Sequence, residues 1–152
     1  MGFDSPSLKG RALRLLSSRE HSRLELERKL ASFEEEPGSL AAALDDLQAK
    51  GFINEQRVLD SVLHRRSAKL GALRIQRELK DKGLAPQAVA DAVATLRSTE
   101  LERAHTLWLK KFGAPAADAK ERARQARFLA ARGFGSDTIM RVVAGGVPEG
   151  GL

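Results

Sequence analysis

LKDKGL, Leu79–Leu84, has the form of a helix ending: a leucine, a charged turn, a glycine suited to the left-handed conformation, and an apolar residue to fold back on the last turn. Fifty residues later LAARGF, Leu129–Phe134, repeats the design. Working outward from these two stops, shifts of 49 and then 50 residues bring Leu30, Leu79 and Leu129 into register. Upstream, Leu24 aligns with Leu73 and Ala123, and Arg28 with Arg77 and Arg127. Downstream, Leu40 aligns with Val89 and Ile139, and Leu44 with Val93 and Val143. The chain is a repeat. Its first row departs at the stop, where the glycine signal is replaced by the longer FEEEPGS, Phe33–Ser39.

Punctuation inside each row predicts three helices. Ser22 with Glu25 has capping-box spacing, in which hydroxyl and carboxylate each satisfy an orphan backbone N–H. Leu26, Leu30 and Phe33 then share one helical face. Thr99 with Glu102 and Asp118 with Glu121 are similar starts, and Ala85-Pro86 opens a helix with proline where its missing N–H costs nothing. The predicted helices are 7–18, 22–33 and 39–50; 54–69, 71–82 and 86–97; 99–112, 118–132 and 136–144. They define an all-α chain of three tandem three-helix repeats: 1–53, 54–98, which is basic, and 99–144, also basic. The stretch GGVPEGGL, Gly145–Leu152, forms an expected disordered tail, and residues 1–6 are expected to fray. A helix of 12 residues is about 18 Å long, so one repeat has a thin core and must stack on its neighbour. The expected architecture is an elongated array, straight or curved, with Trp108 and Phe112 filling the core of the third repeat.

Composition agrees with helices, since Leu, Ala, Arg, Glu and Lys dominate and aromatics are only 5% of 152 residues. Cysteine is absent, which removes disulfides, thiolate catalysis and zinc-thiolate sites. Charges break every apolar run in the first twenty residues, so neither a signal peptide nor a membrane span is expected there, and the expected location is the cytoplasm. The net charge of +6 invites an acidic partner. That charge is unevenly spread: residues 1–53 carry net −1, 54–98 net +4, and 99–152 net +3.

In the second repeat Arg65, Arg66, Lys69, Arg74, Arg77, Lys80 and Lys82 are opposed only by Glu78 and Asp81. Arg74, Arg77 and Asp81 share a face by three- and four-residue spacing, with Leu73, Ile75 and Leu79 assigned to the buried side. In the third repeat Lys120, Arg122, Arg124, Arg127 and Arg132 are opposed by Glu121. These faces are either solvated or cationic binding surfaces, and for the trio Arg28, Arg77 and Arg127 a third reading stands: arginine stems covering the same groove in each repeat, bonded to a carbonyl or carboxylate. Catalysis and cofactors find no support. His21, His64 and His105 have no partner at metal-ligand spacing, no GxxxxGK[ST] occurs, and Glu34–Glu36 read as a solvated connector. His21, just ahead of Ser22, is read as a helix-start residue.

Four stretches, LLSSREHSRLELERKL (Leu15–Leu30), ALDDLQAKGFINEQRV (Ala43–Val58), GALRIQRELKDKGL (Gly71–Leu84) and RFLAARGFGSDTIMRVV (Arg127–Val143), closely resemble the RecX family of bacterial regulators of the RecA recombinase. The resemblance implies a non-enzymatic regulator of DNA recombination, repair and the SOS response, built of three-helix repeats, that lodges in the groove of the RecA nucleoprotein filament and inhibits strand exchange, ATP hydrolysis and coprotease activity. It also implies single- or double-stranded DNA as a direct partner, no membrane, no cofactor, and a monomer. Two departures stand out: Gly71-Ala72 where the family commonly has Gly-Pro, and an aliphatic VLDSVLHRR where an aromatic is frequent. On this reading the filament- or DNA-binding residues are Arg65, Arg66, Lys69, Arg74, Arg77, Lys80, Lys82, Lys120, Arg122, Arg124 and Arg127. The rivals are a stand-alone nucleic-acid-binding helical protein and a pure scaffold repeat.

Overall fold

The computed structural model describes residues 5–145, so the expected unstructured ends at 1–4 and 146–152 lie outside the described residues. Among the described residues there are eight α-helices and no strand: α1 (Leu8–Ser18), α2 (Arg23–Leu30), α3 (Ser39–Ala49), α4 (Glu55–Arg66), α5 (Ala72–Asp81), α6 (Pro86–Lys111), α7 (Ala119–Ala131) and α8 (Ser136–Val143). A short 3-10 turn, Ala31–Phe33, ends α2. Local chemistry accounts for the starts. Ser7 Oγ accepts from Gly10 N–H at α1, both halves of the capping box form at Ser22 and Glu25, Asp118 Oδ1 accepts from Glu121 N–H at α7, and Pro86 opens α6. Glu34, expected in a solvated connector, instead accepts from the Leu40 N–H at 2.7 Å and caps α3.

One expectation fails outright. The sequence predicts a helix ending at 97 and another beginning at Thr99, whereas α6 runs without a break for 26 residues. No glycine or proline interrupts RSTEL, and the hydroxyls that could cap turn backwards instead: Ser98 Oγ donates to Thr95 O and Thr99 Oγ1 to Leu96 O. Leu73, assigned to the buried side of α5, is 52% exposed. Positions two apart on a helix do not share a face, so Ile75 and Leu79 are buried while Leu73 points elsewhere.

The described residues divide into two compact units, one running to Ser61 and taking in Asp81–Leu84, the other made of Val62–Lys80 with the residues from Ala85 onward. In the first unit Ala12, Leu26, Leu30, Leu40, Leu44, Leu47 and Ile53 form the core, flanked by Leu8, Leu15 and Leu16. In the second, Trp108 packs with Ala104, Leu129, Phe134, Ile139, Val142 and Val143, and Phe112 joins from the edge. The indole N–H of Trp108 donates to Gln125 Oε1 at 2.9 Å, so the largest side chain leaves no buried donor unpaired.

The repeated stops explain how neighbouring repeats join. After α7, Gly133 (φ 87°) lets Phe134 N–H reach Leu129 O and Gly133 N–H reach Ala130 O, a Schellman ending. This turn lies directly against the start of α5: Gly71 N–H donates to Arg132 O and Leu73 N–H to Gly133 O. A β-carbon on Gly71 would stand 2.4 Å from Gly133 O, and one on Gly133 would stand 2.3 Å from Arg74 Cβ. The earlier stop also lies against a helix of the preceding repeat, because a β-carbon on Gly83 (φ 73°) would meet the Leu24 side chain of α2 at 2.7 Å. The Gly83 turn thus lies against α2, and the Gly133 turn against α5.

Candidate functional site

α5 and its approach carry the densest group of cations. The face holding Arg74, Arg77 and Asp81 is exposed, as the spacing predicts. At the end of α4, Arg66 Nε pairs with Glu78 Oε1 at 3.2 Å and Arg65 stands 3.8 Å from the same carboxylate. Arg74 Nη1 donates to Ala131 O at 2.8 Å, neutralising the carbonyl end of α7. Lys69, Arg77 and Lys80 are exposed, and their side chains make no hydrogen bond or ion pair among the described residues.

Lys82 belongs to the other unit and is committed to the fold. Its ammonium lies 3.0 Å from Glu25 Oε1 with only 12% of the side chain exposed. The same carboxylate accepts from the Ser22 N–H and pairs with Arg19 at 2.7 Å. Burial raises the Glu25 pKa, but the bonds from Arg19, Ser22 and Lys82 outweigh it and hold the carboxyl at about 2. Nearby, Arg28 Nη1 donates to Asp81 O at 3.1 Å. The aligned trio therefore splits: Arg28 bonds a carbonyl as one reading required, while Arg77 and Arg127 have no such partner among the described residues. In the next repeat the carbonyl at the equivalent place, Ala131, is taken by Arg74.

On α7, Lys120, Arg122 and Arg127 are exposed and unpaired among the described residues. Arg124 is exposed but tied to Glu121 at 3.1 Å, and its guanidinium lies 5.5 Å from the Phe112 ring. Arg132 lies 4.8 Å from the ring of Phe128. Six of the eleven candidate residues are thus uncommitted cations: Lys69 in the turn ahead of α5, Arg77 and Lys80 on α5, and Lys120, Arg122 and Arg127 on α7.

Two residues that the sequence reading passed over hold this surface in place. Glu100 is 7% exposed in the middle of α6. Its Oε1 accepts from the Ala72 N–H at 2.8 Å, and its Oε2 from Thr138 Oγ1 at 3.0 Å and Gly135 N–H at 3.4 Å. One carboxylate thereby satisfies N–H groups at the starts of α5 and α8. Ala72 stands where the resemblance leads one to expect proline, and proline could not make this bond. One turn on, Arg103 Nη1 donates to Ser67 O at 2.6 Å and Leu70 O at 2.8 Å, closing the end of α4. Burial lowers the Arg103 pKa, and nearby Glu100 offsets part of the effect. The signal was present: Val89, Val93, Leu96, Glu100, Ala104 and Trp108 step by three or four residues, which puts a carboxylate in a buried stripe.

His21 is buried, as a helix-start residue would be. Its Nδ1 lies 3.0 Å from Arg19 O and its Nε2 3.1 Å from Lys29 Nζ, so the ring donates to the carbonyl and accepts from the ammonium. Burial is the main cause of its lowered pKa, which keeps the imidazole neutral. Among the described residues no group of His, Asp and Glu could hold a metal ion, and no helix is long and apolar enough to cross a membrane.

Comparison with known proteins gives a consistent result. The family model described as the first three-helix domain of RecX matches residues 9–52, and that of the third matches 98–143. A protein of Leptothrix cholodnii named Regulatory protein RecX is 54% identical over 137 residues, covering 90% of this chain and 87% of that protein. Its namesake in Ralstonia pickettii is 44% identical over 139 residues, covering 91% and 87%. In fold the chain is similar to the crystal structure of RecX from Lactobacillus salivarius, with a TM-score of 0.72 over 91% of this chain and 93% of that one at 20% identity. Helices joined by repeated stops, family models at both ends and relatives of nearly equal length agree that the chain belongs to the RecX family of regulatory proteins.

Proposed function

We propose that this protein regulates the RecA recombinase by lodging in the groove of the RecA nucleoprotein filament and lowering its strand-exchange, ATPase and coprotease activities. The observation that carries the reading is the set of six exposed cations without internal partners, Lys69, Arg77, Lys80, Lys120, Arg122 and Arg127, on a chain of this family. Uncommitted arginines and lysines, five of the six on helices, suit acidic protein surface or DNA phosphates. Contacts on separate helices add through effective concentration, and a protein bridging filament subunits favours one filament geometry over others. Inhibition follows when the favoured geometry is the less active one.

The test is the triple charge reversal Lys69→Glu, Arg77→Glu and Lys80→Glu, which touches no bond described above. Inhibition of RecA ATPase and strand exchange should weaken by at least roughly tenfold, with unchanged helicity; a loss of about 1.4 kcal/mol of binding gives that factor. Unchanged inhibition would refute the assignment of these residues. Titration of naked DNA at two salt concentrations separates the rival: tight, salt-sensitive DNA binding without any effect on RecA ATPase would mark a stand-alone nucleic-acid-binding protein.

A further inference from the structure

His21 is the only histidine among residues 1–53, and it lies 1% exposed between the end of α1 and the start of α2. Its two ring nitrogens have partners of opposite kind. Arg19 O, 3.0 Å from Nδ1, can only accept, and the Lys29 ammonium, 3.1 Å from Nε2, can only donate. Together they admit one tautomer, with the proton on Nδ1 and a lone pair on Nε2. The Arg19 side of the ring is held firmly, because the Arg19 guanidinium donates to Glu20 O at 2.8 Å and pairs with Glu25 Oε2 at 2.7 Å, while Ser22 is fixed by the capping box. The Lys29 side is not. Lys29 is an exposed residue that also lines a cavity with Arg11, Arg14 and Phe33, so its ammonium can leave the ring for water while α2 stays in place.

We propose that His21 and Lys29 form a proton-operated latch, in which Nε2 holds either the Lys29 ammonium or a proton, so that acidification releases Lys29 to solvent. A proton from water takes the Nε2 lone pair, and the hydrogen bond from Lys29 Nζ is lost because both atoms are then donors. Lys29 stays charged throughout, and the Nδ1–H bond to Arg19 O remains. The acid state therefore carries one more positive charge in the first repeat and an idle ammonium beside Arg11 and Arg14. No anion is free to cancel that charge. Glu25 is the acidic group acting on the ring, and its oxygens are committed to the Ser22 N–H, Arg19 and Lys82; Glu20 is held by Arg57 of α4 at 2.8 Å. Burial, and then the charges of Arg19 and Lys29, lower the His21 pKa from 6.5, against the bond to Arg19 O and the charge of Glu25, which raise it. The unfolded chain thus takes this proton more readily than the folded one. The contribution of the latch to stability is complete above pH 6.5 and is lost as pH falls below it.

The experiment is an NMR pH titration of the full chain, following the Cε1–H signal of His21 and the Cε signal of Lys29 in wild type, Lys29→Ala and Lys29→Glu. In wild type His21 should titrate below 6.5, and the Lys29 signal should shift with the same midpoint, while exposed Lys69 serves as the control that does not. Lys29→Ala removes the competing cation and should raise the His21 midpoint by roughly half a unit. Lys29→Glu puts an acceptor of opposite charge in its place and should raise it further, by about one unit. Both substitutions change an exposed side chain, and unchanged helicity checks the fold. Melting curves give a second readout: the fall in melting temperature from about pH 7.5 to about pH 5.5 should be smaller in Lys29→Ala than in wild type, because the proton then displaces nothing. A His21 midpoint that is the same in wild type and Lys29→Ala overturns the proposal, as does a Lys29 signal that stays flat while His21 titrates. So does a ring that remains neutral until the whole chain unfolds, which would make His21 a core residue and nothing more.

Discussion

Gly133 has no room for a methyl group. Its φ of 87° lies where side chains are strained, and the nearest atom to an added β-carbon is Arg74 Cβ at 2.3 Å, with the Arg74 backbone N at 2.7 Å behind it. Gly133→Ala should therefore lower stability by about 1–3 kcal/mol, read as a lower denaturant midpoint, because it combines a disfavoured conformation with a collision against helix backbone. Glu100→Ala should cost about 1–3 kcal/mol in the same measurement, since it leaves the Ala72 N–H buried without an acceptor. Glu25 makes a different prediction. Its carboxyl titrates near 4.5 unfolded and at about 2 folded, so its stabilising contribution is complete above pH 4.5 and is lost as pH falls toward 2. The stability difference between wild type and Glu25→Gln should shrink across that window and stay level from pH 5 to pH 7. The stop glycines were legible from their places in two aligned motifs. Glu100 and Arg103 were not read: the buried stripe on α6 marks Glu100, but most partners of the two residues lie 28 to 38 residues away in the chain.

Seven of the nine predicted helices correspond to separate helices of the structure, helped by strong punctuation: Ser22 and Asp118 at starts, glycine at stops. The error fell where punctuation was weakest. Thr99-Glu100-Leu101-Glu102 imitates a capping box, yet a threonine inside a helix can satisfy its hydroxyl by bonding back to a carbonyl, and here it does. A pair of substitutions distinguishes the two situations. At a helix start, Thr→Gly costs a few tenths of a kcal/mol and Thr→Ala about 1 kcal/mol. Within a continuous helix the order reverses, since glycine is about 1 kcal/mol worse than alanine. Thermal unfolding should rank Thr99→Ala above Thr99→Gly.

At the scale of the molecule, summed charge located the two basic stretches, 54–98 and 99–152, but concealed what individual cations do. Of eleven candidates, Lys82 is enclosed with Glu25, Arg74 serves a carbonyl, Arg65 and Arg66 share Glu78, and Arg124 holds Glu121. The same arithmetic gave residues 1–53 a slight negative total and so hid Arg11, Arg14 and Lys29 around one cavity. Sequence separates positive from negative regions; only folded geometry separates an engaged charge from an idle one. Lys82→Glu, which sets a second carboxylate beside Glu25, should lower the melting temperature, whereas Arg77→Glu should leave it near wild type and act on RecA inhibition alone. A matched pair of melting curves and ATPase assays checks this contrast.

Because α6 is one rod from Pro86 to Lys111, its length acts as a phase setting. A single residue inserted between Leu96 and Glu100 would turn everything beyond it by about 100° about the helix axis. Glu100 would swing away from Ala72, and Arg103 from Ser67 and Leu70, so both pins would be pulled at once. Loops elsewhere in the chain can absorb a change of length, but this helix cannot, and drift in residue count between relatives should avoid it.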